Sequence, residues 1–332
     1  MINNLVQAVG KKDITTVMRM VEKGTTMRIR NKALNQASYY GHLDIVRYLI
    51  NKEADVHNDY DYPLRIASGN GHLEVVKLLV EKGADIHAKN DDALIEASSY
   101  GHLEVVKFLV EKGANIHIND EFALYVASMK GHLEVVKFLV EKGADIRVNN
   151  DYVFITASSN GHLEVVKFLV DKGTNIRVND LHVLYQTSNN GHLEVLKYLV
   201  ENGVDIHTDD DIALRLASYN GHLDLVKFLV EKGANIQAQY NNALRLASGG
   251  GHLEVVKFLV EKGANIHTNN DCIIRFVSQN GHLDLVKFLV EKGANIHAKN
   301  NEALRLASQY GYHKIVRFLI DKGADESVLV KQ

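Results

Sequence analysis

The 332-residue chain has no tryptophan, one cysteine and one proline, and its charges nearly cancel. A lone thiol, Cys272, cannot close an internal disulfide, so the fold is held without covalent staples, which fits a reducing compartment. A net charge of -3 argues against a nucleic-acid partner, because nucleic-acid binders carry a basic excess. No apolar run approaches the ~20 residues of a membrane span, and residues 1–9 do not form a secretory leader. A cytoplasmic protein with no membrane partner is therefore expected.

What the chain does have is a period. Gly-His recurs at residues 41, 71, 101, 131, 161, 191, 221, 251 and 281, always 30 apart, and a variant, Gly311-Tyr312, follows at the next step. Within the unit 101–130, Leu103, Val106, Leu109 and Val110 form the stripe of an amphipathic helix. Gly113 caps it, residues 117–122 are polar and loop-like, and Ala123–Ser128 reads as a second, shorter helix. The first is called here the Gly-His helix and the second the variable helix. So small a pair cannot bury its apolar stripe alone and must stack on its neighbours. The expectation is one all-α domain, 1–332, of about eleven stacked helix-turn-helix units with shortened connecting loops. Residues 1–40 would supply the N-terminal cap and first units, 41–310 nine regular units and 311–332 the C-terminal cap.

The run GHLEVVKFLVEKGANIHAKN resembles the ankyrin repeat, and the resemblance covers essentially the whole chain. It implies an ankyrin-repeat solenoid that binds a protein on a concave face of loops and short helices. Ankyrin units usually have 33 residues, a Thr-Pro-Leu-His opening and a projecting β-hairpin finger. Here three residues are missing from that loop, so blunter fingers are expected. Pro63 alone keeps the proline slot, and the following His is replaced by Arg, Tyr or Ile. The short unit and the Asn, Ile, Lys and Tyr bias are similar to ankyrin families of giant amoeba-infecting DNA viruses, which implies an adaptor acting on host proteins.

The units can also be compared with one another. The Gly-His helix barely changes, and Glu104, Lys107, Glu111 and their equivalents read as a solvated face. Seven of ten phenylalanines share one slot there, among them Phe108 and Phe138, and read as core packing. Change concentrates in the loop, the variable helix and the two residues before Gly-His, where eleven of fourteen tyrosines lie. Tyr and Arg most often dominate interface energies. The candidate partner-binding residues are accordingly Tyr60, Tyr62, Tyr100, Phe122, Tyr125, Tyr152, Tyr185, Tyr219 and Tyr240, with Arg65, Arg215, Arg245, Arg275 and Arg305 in the slot of the family's His. Two readings of the arginines stand. They form a basic stripe for carboxylates or phosphates, or each bonds loop groups of a neighbouring unit such as Asp210, Asp211, Asp271 or Glu302.

Seventeen histidines invite a metal reading, but nine belong to Gly-His and six share one loop slot, a full unit apart. The Gly-His set is expected to cap or orient helix ends. Gly249-Gly250-Gly251 lacks the Lys-Ser/Thr of a phosphate loop and reads as small residues at variable positions. Cys272 has no paired base. No catalytic, metal or cofactor site is expected. The reading is a monomeric, non-enzymatic scaffold for a protein partner, with a polyanion on the arginine ladder as the alternative.

Overall fold

A computed structural model describes residues 2–177 and 180–329, so the outermost residues of both expected caps, 1 and 330–332, lie outside the described residues. The chain divides into two compact units, Met1–Asn175 and Ile176–Gln332. Among the described residues there are 22 α-helices and a closing 3-10 turn, Glu326–Leu329, and no strand. The first unit holds six helix pairs, from Ile2–Gly10 with Ile14–Glu22 to Val148–Ser159 with Leu163–Asp171. The second holds five, from Asp180–Asn190 with Leu193–Glu201 to Ala298–Gln309 with His313–Asp321.

Both helices of a pair end through glycine. At the end of the Gly-His helix Leu103–Glu111, the Ala114 amide donates to Leu109 O (3.0 Å) and the Gly113 amide to Val110 O (3.0 Å). That is the Schellman pattern, which needs a left-handed residue, and Gly113 has φ +102°. The variable helix ends the same way at Gly101, with the His102 amide bonded to Ala97 O (2.9 Å). Glu53 occupies the glycine slot of its own unit and still adopts φ 63°.

The core differs from the stripe read in the sequence. In Leu103–Glu111 the buried residues are Val105, Val106 and Leu109, while Leu103 and Val110 are half-buried. The helix is wedged between its own partner and the neighbouring Gly-His helices, so the buried face turns by about one residue. Ala123, Leu124 and Ala127 of the variable helix are fully buried, and the small side chains allow close stacking. Of the seven phenylalanines in the shared slot Phe228 is buried and the other six are half-buried. Phe108 and Phe138 are half-buried, and each carries a lysine four residues on over its ring: Lys112 Nζ lies 5.7 Å from the Phe108 centroid and Lys142 Nζ 5.5 Å from that of Phe138. The fully buried phenylalanine is instead Phe154, in a variable helix.

The shortened loop is where structure departs furthest from expectation. The helical run Ile118–Lys130 begins with three residues in the left-handed region: Asn119 (φ 48°, ψ 50°), Asp120 (56°, 56°) and Glu121 (64°, 32°). Among the described residues the same left-handed turn opens eight variable helices, from Asp59–Asp61 to Lys299–Asn301. Eighteen of these 24 residues are Asn or Asp, the types besides glycine that tolerate this region best. A turn of one left-handed coil thus takes the place of the expected blunt finger, and with it the variable run is not the shorter helix expected: Ile118–Lys130 has 13 residues against nine in Leu133–Glu141.

Candidate functional site

Two surfaces can be built from the residues upward. On the Gly-His helices the exposed pairs repeat almost unchanged. Lys107 Nζ donates to Glu104 Oε1 at 2.8 Å, and Lys137 repeats this with Glu134 at 2.8 Å. These i, i+3 pairs are solvated and contribute little. On the variable helix, residues 122, 125, 126 and 129 lie on one side by helical spacing, and this side changes from unit to unit.

That side carries the aromatic candidates. Phe122 and Tyr125 stack at 5.5 Å, and Tyr125 stacks on Tyr152 of the next pair at 5.3 Å with ring planes 8° apart. Phe122 and Tyr152 are exposed and Tyr125 is half-buried. Burial raises the Tyr125 phenol pKa, Tyr152 raises it further and a bond to Thr156 opposes them. Tyr62 is half-buried with the Arg65 guanidinium 5.3 Å from its ring, while Tyr100, Tyr185 and Tyr219 are exposed. Tyr60 and Tyr240, 69% and 79% exposed, sit at the middle of left-handed turns and project furthest. The sequence reading missed Phe276, which is exposed in the 126 slot of this same face. Its signal was there, in the helical spacing from Cys272 and Arg275.

The arginine ladder resolves residue by residue. Arg65 donates to Asp92 Oδ2 at 2.7 Å and to the turn carbonyls of Asp59 and Tyr60. Arg215 donates to Asp209 Oδ2 (2.9 Å), to the carbonyls of Asp209 and Asp210, and to Gln239. Arg275 pairs with Glu302 and the Asn269 carbonyl, and Arg305 holds the carbonyls of Lys299 and Asn300. These arginines clamp their own left-handed turns, and two reach a carboxylate of the next unit. Asp211 and Asp271, named as partners from the sequence, serve elsewhere. Arg245 alone of the five is exposed, and its only hydrogen bond among the described residues is to Asn242 Oδ1 (2.8 Å).

The histidines fall into two sets with different partners. The Gly-His imidazole stands at the N-cap position of its helix but makes no capping bond there. Instead His102 Nε2–H donates to Gly69 O (3.0 Å) and His132 Nε2–H to Ser99 O (2.9 Å), each in the preceding pair. The expected helix-orienting role is thus exerted on the neighbour's helix end. Burial lowers the pKa of His102, with a smaller push from His72 and His132, and the Gly69 bond opposes it. The second histidine set locks the left-handed turn: His87 Nδ1–H donates to Asp91 Oδ1 (3.0 Å), and the same oxygen accepts the Asn115 amide of the next turn (2.9 Å). Asp61, Asp211, Asn241, Asp271 and Asn301 make the same bond to the turn 24 residues on. Sequence reasoning did not see this clamp, because its partners are neither adjacent in sequence nor on one helix face.

Among the described residues no group of three His, Cys, Asp or Glu is placed to hold a metal ion, and no helix is long and apolar enough to cross a membrane. Burial raises the Cys272 thiol pKa, with Arg275 and Arg245 opposing, which keeps it a thiol. A family model described as ankyrin repeats (3 copies) matches the chain in overlapping segments, 5–90, 34–120, 94–180, 124–210, 181–270 and 267–328. No curated protein matches it significantly.

Proposed function

The chain belongs to the ankyrin-repeat family, and from that premise we propose that it is a non-catalytic binding protein that engages a protein partner through its variable helices and left-handed turns. One observation carries this reading: exposed Tyr100, Phe122, Tyr152, Tyr185, Tyr219 and Tyr240 all lie on that face or its turns, against Lys–Glu pairs on the other. Exposed aromatics supply large contact area at small entropic cost, and rings already stacked, as Tyr125 and Tyr152 are, need little ordering on binding. The short unit and the composition bias support a viral adaptor on host proteins, acting as a monomer in the cytoplasm. A polyanion reading gains nothing from the ladder, since four of its five arginines are spent on turn and neighbour groups.

Site-specific photo-crosslinking tests the proposal. A photoreactive phenylalanine at Tyr125, Tyr152 or Tyr219 is expected to give discrete protein adducts in cell extract, and one at Lys107 or Lys137 none. Adducts confined to the Gly-His helices would refute it. A steep linear fall of binding with log salt would favour the polyanion instead.

A further inference from the structure

The slot that supplies Arg65 and Arg275 with a carboxylate, through Asp92 and Glu302, holds Cys272 in the unit after Arg245. The turn before Arg245 is Gln239, Tyr240 and Asn241, so it offers no carboxylate such as Asp209 gives Arg215. Arg245 is therefore exposed with a single neutral partner among the described residues, whereas Arg305, also without a carboxylate there, is half-buried and holds two turn carbonyls. Arg245 lines an open groove of about 520 Å³, together with Leu246, Gly249, Gly250, Tyr219 and Phe276.

The groove exists because of the two glycines. A Cβ at Gly249 would meet Phe276 Cε1 at 2.9 Å, and one at Gly250 would meet His252 Nε2 at 2.6 Å. Neither glycine has a left-handed φ, so their role is space, not backbone conformation. With that space open, Tyr219 and Phe276 stand exposed in the groove with bare backbone on its floor and a cation among them. The other polar lining is already used: His252 bonds Tyr219 O (2.8 Å) and Asn280 Nδ2 bonds Gly249 O (3.2 Å).

We propose that this groove receives an extended acidic segment of the partner protein, an Asp or Glu carboxylate on Arg245 with an adjacent aliphatic side chain on Gly249–Gly250 between Tyr219 and Phe276. The assignment rests on the protein-binding reading above and names the partner's chemistry. Arginine suits it because its fork takes a carboxylate through two parallel bonds. Arg65, Arg215 and Arg275 are each engaged by a carboxylate and Arg305 is half-buried on its own turn, which leaves Arg245 the exposed arginine of the ladder.

The test uses the full chain and two probes, the capped peptides Ser-Leu-Glu-Leu-Ser and Ser-Leu-Gln-Leu-Ser, followed by amide NMR shifts. The Glu peptide is expected to shift the Gly249 and Gly250 amides and to bind about tenfold tighter than the Gln peptide, the worth of one charge-assisted pair. Arg245→Ala is expected to equalise the two peptides, Arg245→Lys to restore part of the gap, and Lys257→Glu on the Gly-His helix to change nothing. Gly249→Ala, which crowds Phe276, is expected to weaken both peptides. Equal affinities in the unmodified chain, a gap that survives Arg245→Ala, or no shift at Gly249 and Gly250 overturns the assignment. Shifts mapping to Phe122, Tyr125 and Tyr152 would sink the groove and leave the variable face standing. Shifts confined to the Gly-His helices would sink both.

Discussion

Replacing Asp91 by alanine removes the oxygen that joins two successive left-handed turns. Asp91 is 3% exposed, and its Oδ1 accepts from His87 Nδ1 (3.0 Å) and from the Asn115 amide (2.9 Å). His87 is more than half exposed, so water takes over most of that bond, and the loss falls on the Asn115 amide. A hydrogen bond to a charged acceptor is worth about 1.5–3 kcal/mol, which puts this loss near 2 kcal/mol. Alanine at φ 56° adds up to about 1 kcal/mol of backbone strain that Asp and Asn tolerate better. Asp91→Asn should cost well under about 1 kcal/mol, because the chain itself uses Asn241 and Asn301 for the same bond, at 2.9 and 3.2 Å. Asp91→Gly separates the contributions, since it removes the clamp and relieves the strain. Repeat arrays do not always unfold in one step, so the local quantity is hydrogen exchange at the Asn115 amide. Protection should fall at least about thirtyfold for the alanine variant and by only a fewfold for asparagine. Indistinguishable alanine and asparagine variants would refute the clamp.

Glu53→Gly should raise stability by about 0.5–1 kcal/mol in urea titration, because Glu53 holds φ 63° where other units use glycine; no gain would mean the turn carries no strain. Gly101→Ala should destabilise by at least about 1–2 kcal/mol, since φ is +76° and the new Cβ would sit 2.5 Å from His132 Nδ1; a calorimetric midpoint unchanged from the parent would contradict this. His42 and His102 have lowered folded-state pKa values, chiefly through burial. Their neutral rings then support the fold fully above the ordinary value of 6.5, and that support is lost as pH falls from there toward their lowered values. Stability measured between pH 7.5 and 5 should decline, and His102→Gln should decline less. Asp151 runs the other way: burial raises its pKa, Arg147 opposes, and Oδ1 has no partner among the described residues. Its stabilising contribution is present below the unfolded value and lost as pH rises through the folded one, so Asp151→Asn should stabilise at pH 7 and make no difference near pH 3. Equal effects at both pH values would count against this.

Pairing and termination of the helices were legible in the chain alone. The recurrence of Gly-His and of Gly113-type glycines marks where most helices stop, with Lys12 and Glu53 as exceptions, because a left-handed cap is a local property that needs only the residue and its neighbours. The division between a constant Lys–Glu face and a changing face was equally visible, since it follows from comparing units within one sequence. Which aromatics are exposed could be read only in part. Tyr60 and Tyr240, candidates from their variable positions, are exposed, but the Phe108 slot lies half-open under a lysine, a matter of which neighbour covers the ring. The left-handed turn, the Asp91 clamp and the reach of His102 to Gly69 needed the tertiary structure. The clamp and the histidine bond join groups 24 and 33 residues apart, beyond any helical or strand period, and exist only when one pair stacks on the next. The same stacking decided the arginines: five identical residues in one slot differ because the carboxylate that occupies or spares each comes from elsewhere in the fold. Sequence placed Arg245 in the ladder, and packing left it open.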